Sequence, residues 1–253
     1  MGKKIMRPKI RRVRMDLEYI GKQYCGWQYQ KNGVSVQQKI EEAISIVTNQ
    51  QSRVIASGRT DAGAHAINQV AHVDLVTDIT DHDLANALST VLPNDISVIC
   101  ASTVADSWHA RFSALTKTYQ YRVLNQRSKS AFYHGSTWHI KRPLNMERIQ
   151  NSADLLIGEH DFTAFQSAGR PVYSAVRNII KLSVTNEPPL VIFEVTANGF
   201  LKQMVRNIVG TLVDISNERF EPNWIDKLFH CRDRKLAGQC APAEGLYLLK
   251  VEY

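Results

Sequence analysis

Between residues 12 and 19 the sequence "RVRMDLEY" alternates without a break: Val13, Met15, Leu17 and Tyr19 fall on one side, Arg12, Arg14, Asp16 and Glu18 on the other. A period of two with one apolar side predicts a half-buried strand. A turn-rich stretch, "GKQYCGWQYQKNG", follows. The period then changes. Val36, Ile40, Ile44 and Val47 recur at helical spacing, and Ser35 stands where an N-cap hydroxyl belongs. "RVIAS" reads as a short strand that delivers the chain to a glycine-rich turn, and "INQVAHVDLV" reads as another strand. "TDHDLANALSTVL" opens with Thr80 and Asp83 at capping spacing and predicts a helix, with a strand in "DISVICASTVA" after it. The order strand, helix, strand, strand, helix, strand is that of the split βαβ, or ferredoxin-like, arrangement, with antiparallel pairing and helices on one sheet face.

The second half follows a variation on the same plan. "TKTYQYRVL" alternates and puts Lys117, Tyr119, Tyr121 and Val123 on one face, and "STWHI" reads as a short strand. Met146, Ile149, Ala153 and Leu156 mark a helix, with Gly158 as its expected close. "VRNIIKLSV" and "LVIFEVTA" predict a strand pair broken by "TNEPP". "FLKQMVRNIVGTLVDI" predicts a helix with Leu201, Val205, Ile208 and Leu212 on one face; a shorter helix starts near Pro222, and "GLYLLKVEY" is a final strand. The expected architecture is α+β, in two ferredoxin-like (split βαβ) halves over residues 1–105 and 106–253, joined near 105–114. Their antiparallel sheets are expected to meet around a central basic cleft, with the "GRTDAG" turn from the first half and "LTKTYQY" and "MVRN" from the second.

Composition narrows the class. A chain of 253 residues with 44% hydrophobic and 22% charged residues suits a globular protein with a substantial core. Apolar runs such as "PPLVIF" are too short to span a bilayer, and no apolar region of a signal peptide follows the basic start. The four cysteines form no CxxC pair and the eight histidines no HxxxH or HExxH spacing, so neither a metal nor a disulfide is expected and a reducing cytoplasm fits. The net charge is +7, and seven of the first fourteen residues are basic. Such an arm is either a solubilising tail or an attraction for phosphates.

The candidate chemistry is centred on "ASGRTDAGAHA", residues 56–66. Walker A, GxGxxG and GxSxG patterns are all missing, and no second carboxylate stands at glycosidase spacing. What remains is one acid, Asp61, in a turn bracketed by Gly58 and Gly63, with Arg59 beside it. An ordinary turn explains the acid and the glycines, since Asp bonds its own backbone there. It does not explain the arginine.

The turn, together with "LEYIGKQYCGWQYQ", "SVQQKIEEA", "QVAHV", "LPNDISV", "WHARFSALTKTYQY", "GEHDFTAF", "FLKQMVRNIVGTL" and "AEGLYL", resembles the TruA family of tRNA pseudouridine synthases. The blocks occur in the family's order from about residue 14 to the C-terminus. The resemblance implies an isomerase that converts uridine to pseudouridine at positions 38 to 40 of the tRNA anticodon arm, working without a cofactor as a cytoplasmic homodimer. It implies that Asp61 is the catalytic carboxylate, acting as a nucleophile or as a base at the sugar. Arg206 matches the arginine that pairs with this acid. At a separation of ~4 Å and an effective dielectric of about 20, such a pair attracts by on the order of 4 kcal/mol before desolvation. Tyr119 matches an active-site tyrosine whose ring stacks on uracil, and Leu246 an apolar wall of the uracil pocket.

Arg59 is read either as filling the place of an extruded nucleotide or binding phosphate, or as a turn-stabilising side chain. Lys117, Arg111 and the basic N-terminal arm are candidate phosphate contacts or a solvated face. His65 is read either as an RNA contact or as a satisfied structural histidine, Trp27 as packing and Tyr121 as core. Ala64 and Val73 depart from the family pattern, which usually has valine and an aromatic there; both changes bear on packing behind the turn. Two rivals from other classes are a tRNA-binding protein without catalysis and a ferredoxin-like DNA-binding protein.

Overall fold

The computed structural model describes residues 10–169 and 173–253. Lys3, Lys4, Arg7 and Lys9 of the basic arm lie outside the described residues. The architecture is α+β, with five α-helices among the described residues and strands that pair mostly antiparallel. The chain divides into two compact units, one running to Ala114 and taking in the terminal Tyr253, the other running from Leu115 to Glu252.

The first unit is built from β1 (Ile10–Tyr19), α1 (Val36–Thr48), β2 (Ile55–Ala56), β3 (His65–Val76), α2 (Asp81–Val91) and β4 (Ile96–Val104). Strand β3 pairs with β1 on one side and β2 on the other, and β4 lies on the far edge of β1, all antiparallel. The alternation in β1 does what it predicts: Val13, Met15, Leu17 and Tyr19 are buried. The Ser35 hydroxyl accepts the Gln38 N–H at 3.2 Å, and Thr80 does the same for Asp83. Each cap satisfies a donor that the helix itself cannot.

In β3 the alternation breaks. Gln69 through Val73 are all buried, because the segment 105–113 covers the face that the helices do not. Ala110 donates its N–H to His72 Nδ1 at 3.2 Å, and the rings of Trp108 and His109 meet that imidazole. The Tyr253 hydroxyl donates to the Ala110 carbonyl at 2.7 Å. Burial, then the Arg12 charge, pushes the His72 imidazole down to about 4.

The sign follows from linkage. The unfolded chain takes this proton near the ordinary histidine value, the folded chain not until about 4. His72 therefore adds stability that is complete above about pH 6.5 and lost as the pH falls toward 4. The thermal midpoint is expected to drop across that window, and His72→Asn, which keeps an acceptor near Nδ1, is expected to flatten the drop. Melting curves at half-unit pH steps check it; parallel pH profiles for the two proteins would contradict it.

The second unit holds β5 (Thr116–Asn125), β6 (Trp138–Ile140), α3 (Met146–Asp154), β7 (Gly158–Asp161), β8 (Val176–Glu187), β9 (Leu190–Ala197), α4 (Met204–Ser216), α5 (Trp224–Cys231) and β10 (Leu246–Glu252). The strand order is β10-β5-β9-β8-β7, antiparallel, with β6 parallel to the end of β5. Two expectations change here. Gly158 does not close α3: that helix ends at Asp154, and Gly158, at φ 107°, opens β7. Strand β8 runs on through Thr185, Asn186 and Glu187, because Pro188 and Pro189 alone make the turn between Glu187 and its partner Leu190.

Candidate active site

Asp61 lies in the link between β2 and β3. The base of this link is fixed by Ser57, whose N–H reaches the Val70 carbonyl at 2.7 Å and whose hydroxyl reaches Gln69 Oε1 at 2.8 Å. Gln69 in turn donates to the Gly58 carbonyl at 3.0 Å. Ala64 N–H bonds the Asp61 carbonyl at 3.1 Å, closing a turn whose third residue, Gly63, has φ 81°. That position favours glycine. Gly58 is not among the positive-φ glycines, so of the two glycines that bracket the turn only Gly63 takes a conformation that calls for glycine.

A second segment clamps the turn from outside. Trp27 N–H donates to the Thr60 carbonyl at 3.1 Å, and Gly63 N–H donates to the Tyr24 carbonyl at 3.3 Å. The Tyr19 and Thr60 hydroxyls bond at 2.8 Å; burial pushes the Tyr19 phenol up to about 12, so it stays neutral. Two glycines allow the approach. Gly26 has φ 97°, and a Cβ there would stand 2.7 Å from the Thr60 carbonyl oxygen and 3.1 Å from the Asp61 carbonyl carbon. A Cβ at Gly21 would stand 1.8 Å from the Ala64 carbonyl oxygen. Asp61 itself is half-buried and Arg59 exposed. His65 is buried and takes the Gly21 N–H on Nδ1 at 3.2 Å, which favours the structural reading of that side chain. Trp27 is buried, and so are Ala64 and Val73.

The second unit carries the other candidates. Tyr119 and Tyr121 face inward from β5, paired across to Leu248 and Leu246 of β10. Tyr119 is 8% exposed, and its ring meets Phe200 edge to face at 4.9 Å. Tyr121 is core, its hydroxyl donating to the Pro242 carbonyl at 2.7 Å. Leu246 is buried. The helix expected from Phe200 starts only at Met204, because Gln203 takes a left-handed φ of 59°. This leaves Phe200 in the turn before the helix, free to meet Tyr119.

Arg206 lies on a helix that is buried almost throughout. Every residue from Met204 to Ser216 is buried except Arg206, which is half-buried. The polar residues of α4 are satisfied inside the fold. Asn207 donates to the Phe165 carbonyl at 2.7 Å and accepts from Arg234 at 2.8 Å. Thr211 Oγ1 and Asp214 Oδ2 take the N–H groups of Gly238 and Gln239 at 3.0 and 3.1 Å. The loop they fix then grips Arg206: its Nε donates to the Ala241 carbonyl at 2.7 Å, and Ala241 N–H donates to the Arg206 carbonyl at 3.1 Å. The same loop leads into Leu246.

The remaining basic candidates differ among themselves. Arg111 is exposed in the first unit and Lys117 half-buried in the second. The described arginines of the N-terminal stretch pair with carboxylates. Arg11 pairs with Asp81, Arg12 forks onto both oxygens of Asp74 at 2.8 Å, and Arg14 pairs with Asp16 at 2.7 Å. The Arg12 hydrogen bond holds the Asp74 carboxyl below the usual range. Among the described residues no cluster of His, Cys, Asp or Glu could hold a metal ion, and no helix is long and apolar enough to cross a membrane.

The site is thus a half-buried carboxylate in a clamped turn. The sequence profile of a family described as tRNA pseudouridine synthase matches residues 17–113 and 153–253. The chain belongs to that family, whose members are isomerases acting on tRNA. Asp61, Arg59, Arg111, Arg206 and Leu246 fall inside the matched stretches; Lys117 and Tyr119 fall between them. Three relatives carry the name tRNA pseudouridine synthase A. That of Nitrosomonas europaea is 41% identical over 242 residues, covering 96% of this chain and 89% of its own. That of Thermoanaerobacter sp. strain X514 is 41% identical over 244 residues, covering 96% and 100%. That of Escherichia coli K12 is 39% identical over 246 residues, covering 97% and 91%.

Proposed function

We propose that this enzyme isomerises uridine to pseudouridine in the anticodon arm of tRNA, at positions 38 to 40, with Asp61 as the catalytic carboxylate. The C1′–N1 bond breaks, the uracil turns, C5 bonds to C1′, the C5 proton leaves and N1 takes up a proton. Nothing is oxidised or added, so the reaction needs no cofactor. The observation that carries the role of Asp61 is its setting: a half-buried acid in a turn held by the Tyr24 carbonyl, the Trp27 N–H and the Tyr19 hydroxyl. A carboxylate aimed this way loses little on reorganising during the reaction.

In this reading the two units are ferredoxin-like halves whose antiparallel sheets meet around a basic cleft, and Arg206 faces Asp61 across it. The β4-β1-β3-β2 order of the first unit supports that view of the N-terminal half. Tyr119 and Leu246 bound the uracil. Arg59 offsets the cost of extruding the nucleotide, a few kcal/mol, and Lys117 and Arg111 meet the RNA backbone. The enzyme works as a cytoplasmic homodimer on one tRNA.

Arg206→Lys keeps the charge but loses the fork that Ala241 orients. Its single-turnover rate is expected to fall roughly 10- to 100-fold with the melting temperature nearly unchanged. A wild-type rate would remove Arg206 from the site. The proposal as a whole is tested by mapping pseudouridine in a pool of unmodified tRNAs after incubation. New pseudouridine at 38 to 40 is the expected result, and modification confined to another arm would overturn the site assignment.

A further inference from the structure

The segment 105–113 covers β3, yet it holds one large apolar ring out in solvent. Phe112 is 77% exposed. Its backbone is not loose. His109 N–H bonds Ser113 Oγ at 3.0 Å, Ser113 N–H returns to the His109 carbonyl at 2.9 Å, and His109 Nδ1 accepts the N–H groups of Arg111 and Phe112 at 3.0 and 3.2 Å. Arg12 bonds the Asp106 and Trp108 carbonyls at 2.6 and 2.9 Å, and Ala110 is tied at both its N–H and its carbonyl. The His109 ring lies 4.3 Å from Phe112 at 30°, supporting it from one side, and the Arg111 guanidinium lies 5.6 Å from its centroid. An apolar ring would ordinarily fold inward. Here a fastened scaffold displays it beside a cation.

We propose that Phe112 is a stacking platform for an unpaired base of the RNA substrate, with Arg111 at the adjoining phosphate. The inference rests on the tRNA reading above and names a further substrate-positioning residue within it. Ring and guanidinium side by side match the two parts of a nucleotide: every base offers a π face, and every linkage a negative charge. A second protein chain would use the apolar area of the ring but would have no need of its flatness.

That difference sets the experiment. Unmodified tRNA is titrated against the full chain and its Phe112→Ala, Phe112→Leu and Phe112→Tyr variants. An exposed side chain leaves folding intact, which melting curves verify. The platform predicts that Ala and Leu weaken binding by roughly 5- to 150-fold, while Tyr binds within about threefold of the parent. At saturating tRNA the turnover of the Ala variant falls less than about threefold, since the loss is in binding. Arg111→Gln is expected to lower the slope of log affinity against log salt by about one. Leu binding as tightly as Phe would overturn the proposal. So would a change in sedimentation of the Ala variant, which would make Phe112 a seam between copies of the chain. Because the readout is equilibrium binding, a wild type that binds tRNA without isomerising it overturns the functional reading alone.

Discussion

Gly26→Ala is expected to fold, to bind tRNA and to isomerise roughly 100-fold more slowly. The residue touches no substrate. Its place is behind the turn that carries Asp61, at φ 97°, where an alanine costs about 1–3 kcal/mol of backbone strain. The added Cβ would stand 2.7 Å from the Thr60 carbonyl oxygen, closer than real methyl groups come, so backbone must move. Two things can give way: the 24–27 segment or the 60–62 turn. They are joined by the Trp27 to Thr60 and Gly63 to Tyr24 hydrogen bonds, so both shift together. A displacement of about 1 Å at a catalytic group costs on the order of 10²-fold in rate. Turnover at saturating tRNA, tRNA affinity and a thermal melt separate the possibilities. A variant that melts a few degrees lower and turns over at the wild-type rate would show that the clamp serves stability only.

This residue also marks a limit of what the sequence discloses. The alternation of "RVRMDLEY" and the caps at Ser35 and Thr80 are local patterns, and each formed the element it predicts. Asp61 stood out as a candidate because the arginine beside it exceeds what a plain turn needs, and its role came from the family resemblance. Nothing local says that "CGW" passes over Thr60 and Asp61: that contact joins residues more than thirty positions apart. The same holds for α4. Asn207, Thr211 and Asp214 look like the wet side of an amphipathic helix. They are buried because the 234–241 loop supplies hydrogen-bond partners that would otherwise be water. Polar residues at helical spacing on both sides of an arginine were the available signal, and they read equally well as surface. Arg12 is the converse case. In the sequence it belongs to a basic arm that reads as a phosphate contact or a solvated face; the register of β1 against β3 sets it directly opposite Asp74. Cross-strand pairing of opposite charges decides its role. In β8, the pair Pro188-Pro189 was visible, but not that it would suffice as the whole connection.

In the proposed reaction Asp61 performs the chemistry. Asn replaces the carboxylate with a group of the same size that neither attacks as a nucleophile nor accepts a proton as a base. The Ala64 N–H bond that closes the turn uses the Asp61 carbonyl, which Asn keeps. Loss of a reacting carboxylate is expected to slow the reaction by at least roughly 10³-fold, with tRNA binding retained. The measurement is tritium release from unmodified tRNA labelled at uridine C5, since that hydrogen must leave when C5 bonds to the sugar. Wild-type enzyme releasing tritium while Asp61→Asn, bound to the same tRNA, releases none is the predicted result. Release by Asp61→Asn at a rate near the wild type would contradict the account and move the reacting group elsewhere in the chain.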